Sequence, residues 1–379
     1  MKPVPFSYGK VPDSIDFTNR VKEISQLKNN FEALTNTIII SPRRWGKSSL
    51  VRTAGAIITA EHRDMRIIHL DIFNIRNEVE FYQSLANQIL KATASTWEEF
   101  AASAKKFLSN LVPRISFAPD DQAELSFSIG WQELKQQPDE ILNLAEKIAE
   151  EKKLRLILCI DEFQNIGLFD DAAAFQRKLR SHWQQHRHVA YCLYGSKRHM
   201  LTDIFTNPSM PFYKFGDLFF LQKIASVEWI SFIVKRFADT GKEIPGDIAA
   251  LICTLVDNHP YYVQQLSQQA WFRTTHHCTG EIVNIAYESV IDQLSLLFAN
   301  TTEGLNSRQL ELLRAIINGE EQLSAQKTLR AYRLGTSANV VRLKESLIQN
   351  DVLDDMNGKL SFLDPLYRYW LENRFFGAG

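Results

Sequence analysis

The sequence predicts an α/β core, a parallel sheet flanked by helices, followed by an all-helical lid and a winged-helix domain. Three observations carry this. Short β-rich apolar runs at 37–40, 67–70, 156–160 and 189–193 alternate with amphipathic helical stretches, and unbroken apolar strands between helices mean a parallel sheet covered on both faces. From about 226 to 300 a helical period takes over, interrupted at Gly241, Pro245 and His259-Pro260. From 302 the chain reads helix, helix, a third helix over 336–350, then Val352-Leu353, a turn at Met356-Asn357-Gly358 and Leu360-Ser361-Phe362. Helix-turn-helix followed by a short hairpin is the winged-helix order.

These blocks divide the 379 residues into an N-terminal arm (1–15), a core (16–225), a helical lid (226–301) and a winged-helix domain (302–379), within the two or three domains that such a length suggests. The core carries an insertion at about 78–150. There, 81–111 reads as helical, and the strand-like runs 114–117 and 125–129 flank the turn-rich Pro119-Asp120-Asp121, which makes a β-hairpin.

Composition narrows the function classes. Hydrophobic residues at 45% and charged residues at 23% give ample core material and no disordered signature. A net charge of −1 supplies no overall field for nucleic acid or an anionic membrane. Met1-Lys2-Pro3-Val4-Pro5 precedes no apolar targeting segment, and no run of eighteen apolar residues occurs, so a cytoplasmic protein with no membrane partner is expected. Cys159, Cys192, Cys253 and Cys278 lie far apart with no CxxC pair, which predicts reduced thiols rather than disulfides or zinc. The nine histidines lack metal-binding spacing, and no transition-metal site is expected.

The chemistry concentrates at Ser41-Pro42-Arg43-Arg44-Trp45-Gly46-Lys47-Ser48, between an apolar strand and the helical Ser49-Leu50-Val51-Arg52. This is the position of a Walker A loop. Such a loop needs backbone N–H groups around the β-phosphate, a lysine reaching the β and γ oxygens, and a hydroxyl on Mg²⁺; Gly46, Lys47 and Ser48 supply them. Ser41 stands where the pattern has glycine, so the turn must accept a negative φ or carry about 1 kcal/mol of strain.

A Gly-Lys-Ser triplet alone is too common to decide. The second signal is 156–160 followed by Asp161-Glu162, an apolar strand ending in two acids at the sheet edge where open α/β folds bind ligands. Asp161 would hold the Mg²⁺ shell and Glu162 would act catalytically with Lys47, polarising water for attack on the γ-phosphate. The bland alternative makes Lys47 a solvated helix start and Asp161-Glu162 a helix N-cap. Ser196, after the strand 191–194, is either a γ-phosphate sensor or a helix cap. Arg43 and Arg44 either touch phosphate or are solvated charges. Arg177 and Arg180 are candidates for an arginine finger to a neighbouring subunit.

Taken in order, Phe17-Thr18-Asn19-Arg20-Val21-Lys22-Glu23, Pro42 to Leu50, Ile160-Asp161-Glu162-Phe163-Gln164, Leu179-Arg180-Ser181-His182-Trp183, Gly195-Ser196 and Asn258-His259-Pro260-Tyr261-Tyr262 give the chain its resemblance to the archaeal ATPase family of P-loop NTPases. That family is a branch of the STAND class with an AAA-like ATPase core. The resemblance implies ATP or ADP with Mg²⁺ as cofactors, an adenine pocket lined by Phe17, Asn19 and Arg20, and a loop formed by Pro42, Arg43, Arg44, Trp45, Gly46, Lys47, Ser48 and Ser49. It also implies a lid that meets the nucleotide at His259 and Pro260. Two positions depart from the family pattern. Asn19 replaces a glycine, although asparagine tolerates the left-handed conformation. Lys214 stands where an arginine usually precedes the last core strand, and lysine cannot clamp two phosphate oxygens with a planar fork.

The expectation is therefore an ATP-binding, slowly hydrolysing ATPase that acts as a nucleotide-dependent switch. Its alternatives are a nucleotide-binding protein-interaction scaffold with little turnover and a winged-helix DNA-binding regulator. Arg342 and Lys344 against Glu345, Asp351, Asp354 and Asp355 leave protein and DNA both open as partners of the winged helix, and oligomerisation on ATP binding is also open.

Overall fold

Ile38, Ile39 and Ile40 favour extended backbone because their β-branched side chains lose little freedom there, and they lie in an interior strand of a five-stranded parallel sheet. The computed structural model describes residues 4–9, 20–108, 114–116, 126–128, 137–356 and 358–377. The chain divides into two compact units: one spans 20–222, and 4–9 group with 223–377 in the other.

The first unit begins with helix α1 (Val21–Glu32), strand β1 (Thr37–Ile40), helix α2 (Lys47–Glu61) and strand β2 (Met65–Asp71). Helices α3 (Glu78–Thr93) and α4 (Trp97–Phe107) follow, occupying most of the stretch read as one helix. The break falls where Thr96 caps α4 by accepting from Glu99 N, an N-cap that starts a new helix rather than prolonging the old one. Strands β3 (Arg114–Ser116) and β4 (Ser126–Ser128) pair antiparallel; the turn expected at Pro119-Asp120-Asp121 lies outside the described residues. Then come α5 (Pro138–Leu142), α6 (Leu144–Lys152), β5 (Arg155–Asp161), a 3₁₀ segment (Phe163–Leu168), α7 (Ala172–Trp183), β6 (Val189–Gly195), α8 (Arg198–Thr206) and β7 (Asp217–Phe220).

The sheet order is β2-β5-β6-β1-β7. Every residue of β1 and β6 is buried, whereas the edge strands β2 and β7 are only partly so. Central parallel strands covered on both faces explain their unbroken apolar sequences. The edge strand β7 was not among the apolar runs singled out, since it is short and exposes Phe220. Beside the sheet an aromatic cluster forms: Trp183 stacks on Tyr191 at 4.1 Å between centroids and Phe163 meets Phe212 edge-on at 5.3 Å. Phe163 is fully buried, which fixes the start of the 3₁₀ segment directly after Glu162.

The second unit contains α9 (Ser226–Asp239), α10 (Gly246–Leu255), α11 (Pro260–Arg273), α12 (Gly280–Glu303), α13 (Ser307–Ile317), α14 (Gln326–Ala331), α15 (Ser337–Gln349), the hairpin β8 (Leu353–Met356) and β9 (Lys359–Phe362), and α16 (Pro365–Trp370), with a π-turn over Leu371–Phe375. One hydrophobic cluster runs from Trp229 and Phe237 through Tyr262 and Val290 to Leu347, Leu353 and Leu371. The lid helices and the C-terminal segment thus share a core. By length and composition α12 is apolar enough to cross a membrane; it packs Val283, Tyr287, Val290, Ile291 and Phe298 into that core and carries Glu281, Glu288 and Asp292. It runs unbroken past residue 301 because no breaker occurs before Gly304. Thr336 caps α15, and Gly358 takes a φ of 84° in the hairpin turn, a conformation that favours glycine.

Candidate functional site

In an open parallel sheet the carboxyl ends of neighbouring strands gather polar loops at one edge. Here β6 lies between β5 and β1, with Ile40 level with Gly195 and Ile160 level with Leu193. That register brings together the loop after β1, the acids after β5 and Ser196 after β6.

The 41–48 loop turns through two left-handed residues, Arg44 at φ 63° and Gly46 at φ 86°. Gly46 is the N-cap of α2 and needs no side chain removed from a crowded space; its requirement for glycine is conformational. Ser41 is not among the residues with positive φ, so its Cβ sits in the loop without the strain feared from the sequence. Ser41, Pro42, Trp45 and Ser49 are buried, while Arg43 and Arg44 are exposed.

Lys47 is 6% exposed. Its Nζ donates to Pro42 O at 2.8 Å and Ser41 O at 3.3 Å, both neutral carbonyls of its own loop. Burial pushes its pKa down to about 8, offset in part by the carboxylates of Asp161 and Glu162 and reinforced by Arg43. A buried ammonium held by carbonyls is not a solvated helix start.

Ser48 Oγ donates to Asp161 Oδ2 at 2.7 Å, and Asp161 Oδ1 accepts from Glu162 N at 2.8 Å. Burial and the adjoining Glu162 charge raise the Asp161 pKa, against the lowering effect of Ser48. Burial would also raise Glu162, but bonds from Gln164 and Ser196 outweigh it and the carboxyl titrates below its ordinary value. Glu162 sits at φ 55°, a left-handed conformation that costs a non-glycine residue about 1–3 kcal/mol, and its side chain makes no helix-cap bond. Ser196 makes no cap either: the N-cap of α8 is Lys197, and Ser196 N and Oγ both donate to Glu162 Oε2, at 3.0 and 2.9 Å. Two neighbouring carboxyls pushed apart in pKa are the pattern of a working site.

Arg20 is 2% exposed and serves the same loop. It donates to Gln222 O at 2.6 Å and Trp45 O at 3.3 Å, and pairs with Glu23 at 2.9 Å. Phe17 and Asn19 lie outside the described residues. His259 is the N-cap of α11 in the second unit, buried against Tyr262 at 4.8 Å between ring centroids, with Pro260 opening the helix. Arg180 is engaged within its own unit, donating to Pro211 O at 2.7 Å and Tyr213 O at 2.6 Å, which leaves Arg177 as the exposed arginine of α7. Lys214 is exposed, at φ 53°, with its ammonium 5.2 Å from the Tyr213 ring centre. All four cysteines are buried free thiols.

Gln164 and Gly195 stand in the sequence motifs without an expected role. Gln164 is 2% exposed, and its Nε2 donates to Glu162 Oε2 at 2.5 Å. Its signal was a polar residue two positions beyond the acid pair, which only the folded contact makes meaningful.

A family model described as "Probable winged helix domain" matches residues 296–373. No curated protein matches the sequence. Among solved structures, a Walker-type ATPase of Pyrococcus abyssi aligns with a TM-score of 0.69 and 17% identity over 97% of this chain and 99% of its own. The ORC2 protein of Aeropyrum pernix, in ADPNP–ADP complexes, aligns with a TM-score of 0.59 and 14% identity over 96% of this chain and 93% of its own. At these identities the likeness speaks for architecture, and with the site geometry above it leads to one statement: the chain has the fold of the P-loop ATPases, ending in a winged-helix domain.

Proposed function

We propose that the chain binds ATP with Mg²⁺ at the 41–48 loop and works as a slowly hydrolysing, nucleotide-dependent molecular switch. The observation that carries this is Lys47: an ammonium buried to 6% exposure, whose hydrogen bonds among the described residues go to the Ser41 and Pro42 carbonyls, is set to gain most from a polyanion. Ser48 Oγ and Asp161 Oδ2, 2.7 Å apart, are the hard oxygen donors that Mg²⁺ takes. When bound, the ion would neutralise phosphate charge there. Lys47 is assigned to the β and γ phosphates, Ser48 and Asp161 to the metal, and Glu162 to the attacking water. Ser196 is assigned to sensing the γ-phosphate, with Arg20 holding the loop from behind through Trp45.

Slow turnover is supported by Lys214 in place of arginine, since an ammonium lacks the planar fork that clamps two phosphate oxygens. The test is nucleotide affinity and phosphate release. Lys47→Ala should abolish measurable ATP binding, and Glu162→Gln should keep binding while reducing turnover about a hundredfold or more. Unchanged affinity in the first variant would remove the reading.

The winged-helix domain is the mount for a partner, either DNA or a protein surface. In α15, Arg342 and Val341 are exposed and Lys344 half-buried, a small cationic area for phosphate binding. A protein partner is the reading it supports better. Duplex binding that survives a salt titration would reverse that preference.

A further inference from the structure

Glu162 Oε2 accepts three hydrogen bonds, from Gln164 Nε2 at 2.5 Å, Ser196 Oγ at 2.9 Å and Ser196 N at 3.0 Å. The three donors differ in how firmly they are held. Ser196 is half-buried at the end of β6, and its hydroxyl can rotate. Gln164 is 2% exposed and enclosed. Its amide orientation is fixed by chemistry, since the reverse would set a carbonyl oxygen against the Glu162 carboxylate. That orientation leaves Oε1 buried with no hydrogen-bond partner among the described residues, an arrangement that costs about 1–3 kcal/mol. The amide lies against the backbone of Gly195: a Cβ at 195 would stand 1.9 Å from Gln164 Oε1 and 3.2 Å from Glu162 Cα. Gly195 has no positive φ, so glycine is required here for the close approach.

We infer that Gln164, seated on Gly195, is the positioning residue for Glu162: it anchors Oε2 and leaves Oε1 as the oxygen directed to the reaction. This rests on the proposed ATPase reading, in which Ser196 turns to the γ-phosphate. Gln164 is then the side-chain donor that stays on Glu162 throughout. A buried acceptor left unsatisfied is tolerated because the other end of the amide holds a charged group, and a charge-assisted bond is about twice as strong as a neutral one.

The experiment uses the full chain in three forms: wild type, Gln164→Leu and Gly195→Ala. The second variant displaces the amide without removing it, so the inference does not depend on one substitution folding. ATP affinity and steady-state turnover are measured across pH. In parallel, the Glu162 carboxyl is titrated by ¹³C NMR without nucleotide, its signal assigned by comparison with Glu162→Gln. In both variants ATP affinity should stay within about twofold while kcat falls about tenfold to a hundredfold, the scale of a misplaced catalytic group. The acid limb of the kcat profile and the NMR midpoint of Glu162 should both move to higher pH, because a donor to the charged form is lost. A side chain that merely fills space would lower thermal stability and move neither. Unchanged kcat and an unmoved Glu162 midpoint overturn the inference while leaving the ATPase reading intact. Wild-type protein that binds no ATP overturns the ATPase reading and the catalytic half of the inference with it, while the NMR midpoint still reports whether Gln164 holds Glu162.

Discussion

Ser48 Oγ and Asp161 Oδ2 are joined by a 2.7 Å hydrogen bond although 113 positions separate them. The bond ties the first turn of α2 to the end of β5, and both oxygens are the kind a divalent magnesium ion accepts. Ser48→Ala should therefore weaken Mg²⁺-dependent ATP binding by about tenfold or more while leaving binding in EDTA nearly unchanged, a loss of about 1.4 kcal/mol or more. Titration of labelled ATP with and without magnesium reads this directly. Equal losses in both conditions would mean that the hydroxyl serves the fold alone.

Lys47 titrates near pH 8 because it is buried. Phosphate favours its charged form, so its pKa rises on binding, and above about pH 8 binding must take up a proton. ATP affinity should fall with rising pH, by up to about tenfold per unit between the free and bound pKa values. Calorimetry in buffers of different ionisation enthalpy counts the proton. A flat affinity from pH 7 to 9.5 would contradict the assignment.

Arg20 holds the Trp45 and Gln222 carbonyls from a site only 2% exposed, and burial lowers its pKa. Arg20→Met keeps the packing but strands two acceptors, so about 2–4 kcal/mol of stability should be lost, as expected for bonds to a charged donor. Arg20→Lys should not restore it, because a single ammonium lacks the fork that reaches both carbonyls. Denaturant unfolding monitored in both variants decides; full rescue by lysine would count against this role.

In the second unit Asp364 Oδ1 accepts from Leu366 N at 2.9 Å and Tyr367 N at 3.1 Å, capping α16, while Oδ2 accepts from Tyr262 OH at 2.5 Å. Asp364→Ala removes a cap and leaves a part-buried hydroxyl without that acceptor, which should cost about 2–3 kcal/mol. Asp364→Asn, which keeps one acceptor oxygen, should cost less. A loss below about 0.5 kcal/mol in the alanine variant, typical of an unremarkable surface change, would show that the cap is dispensable.

Much of the core was legible because its signals are contiguous. The apolar runs at 37–40 and 189–193 became β1 and β6, buried throughout, and Thr336 to Asn350 became a capped helix. The long stretch 81–111 was harder: its helical period continues across Ser95-Thr96, where a cap divides it into α3 and α4. The site was half legible. Gly46-Lys47-Ser48 and Asp161-Glu162 stood out as short patterns, and the structure sets them at adjoining strand ends. Ser196 had two readings, and the bond it makes to Glu162 was neither of them. Arg20 was assigned to an adenine pocket by resemblance; its contacts with Trp45 and Gln222 reach 25 and 202 positions along the chain, beyond any local pattern.

The sequence by itself determined four of the five strands of the parallel sheet, where the phosphate-type turn falls and which acids end β5, because hydrophobic period and turn chemistry are properties of neighbouring residues. Tertiary structure alone decided that β6 separates β5 from β1, which sets Ser196 against Glu162 and Gly195 against Gln164. It also settled whether Ser41 is strained. The reason is physical: strand order and register fix which side chains meet, and their interaction energies depend on burial and separation in space, quantities that spacing along the chain does not carry.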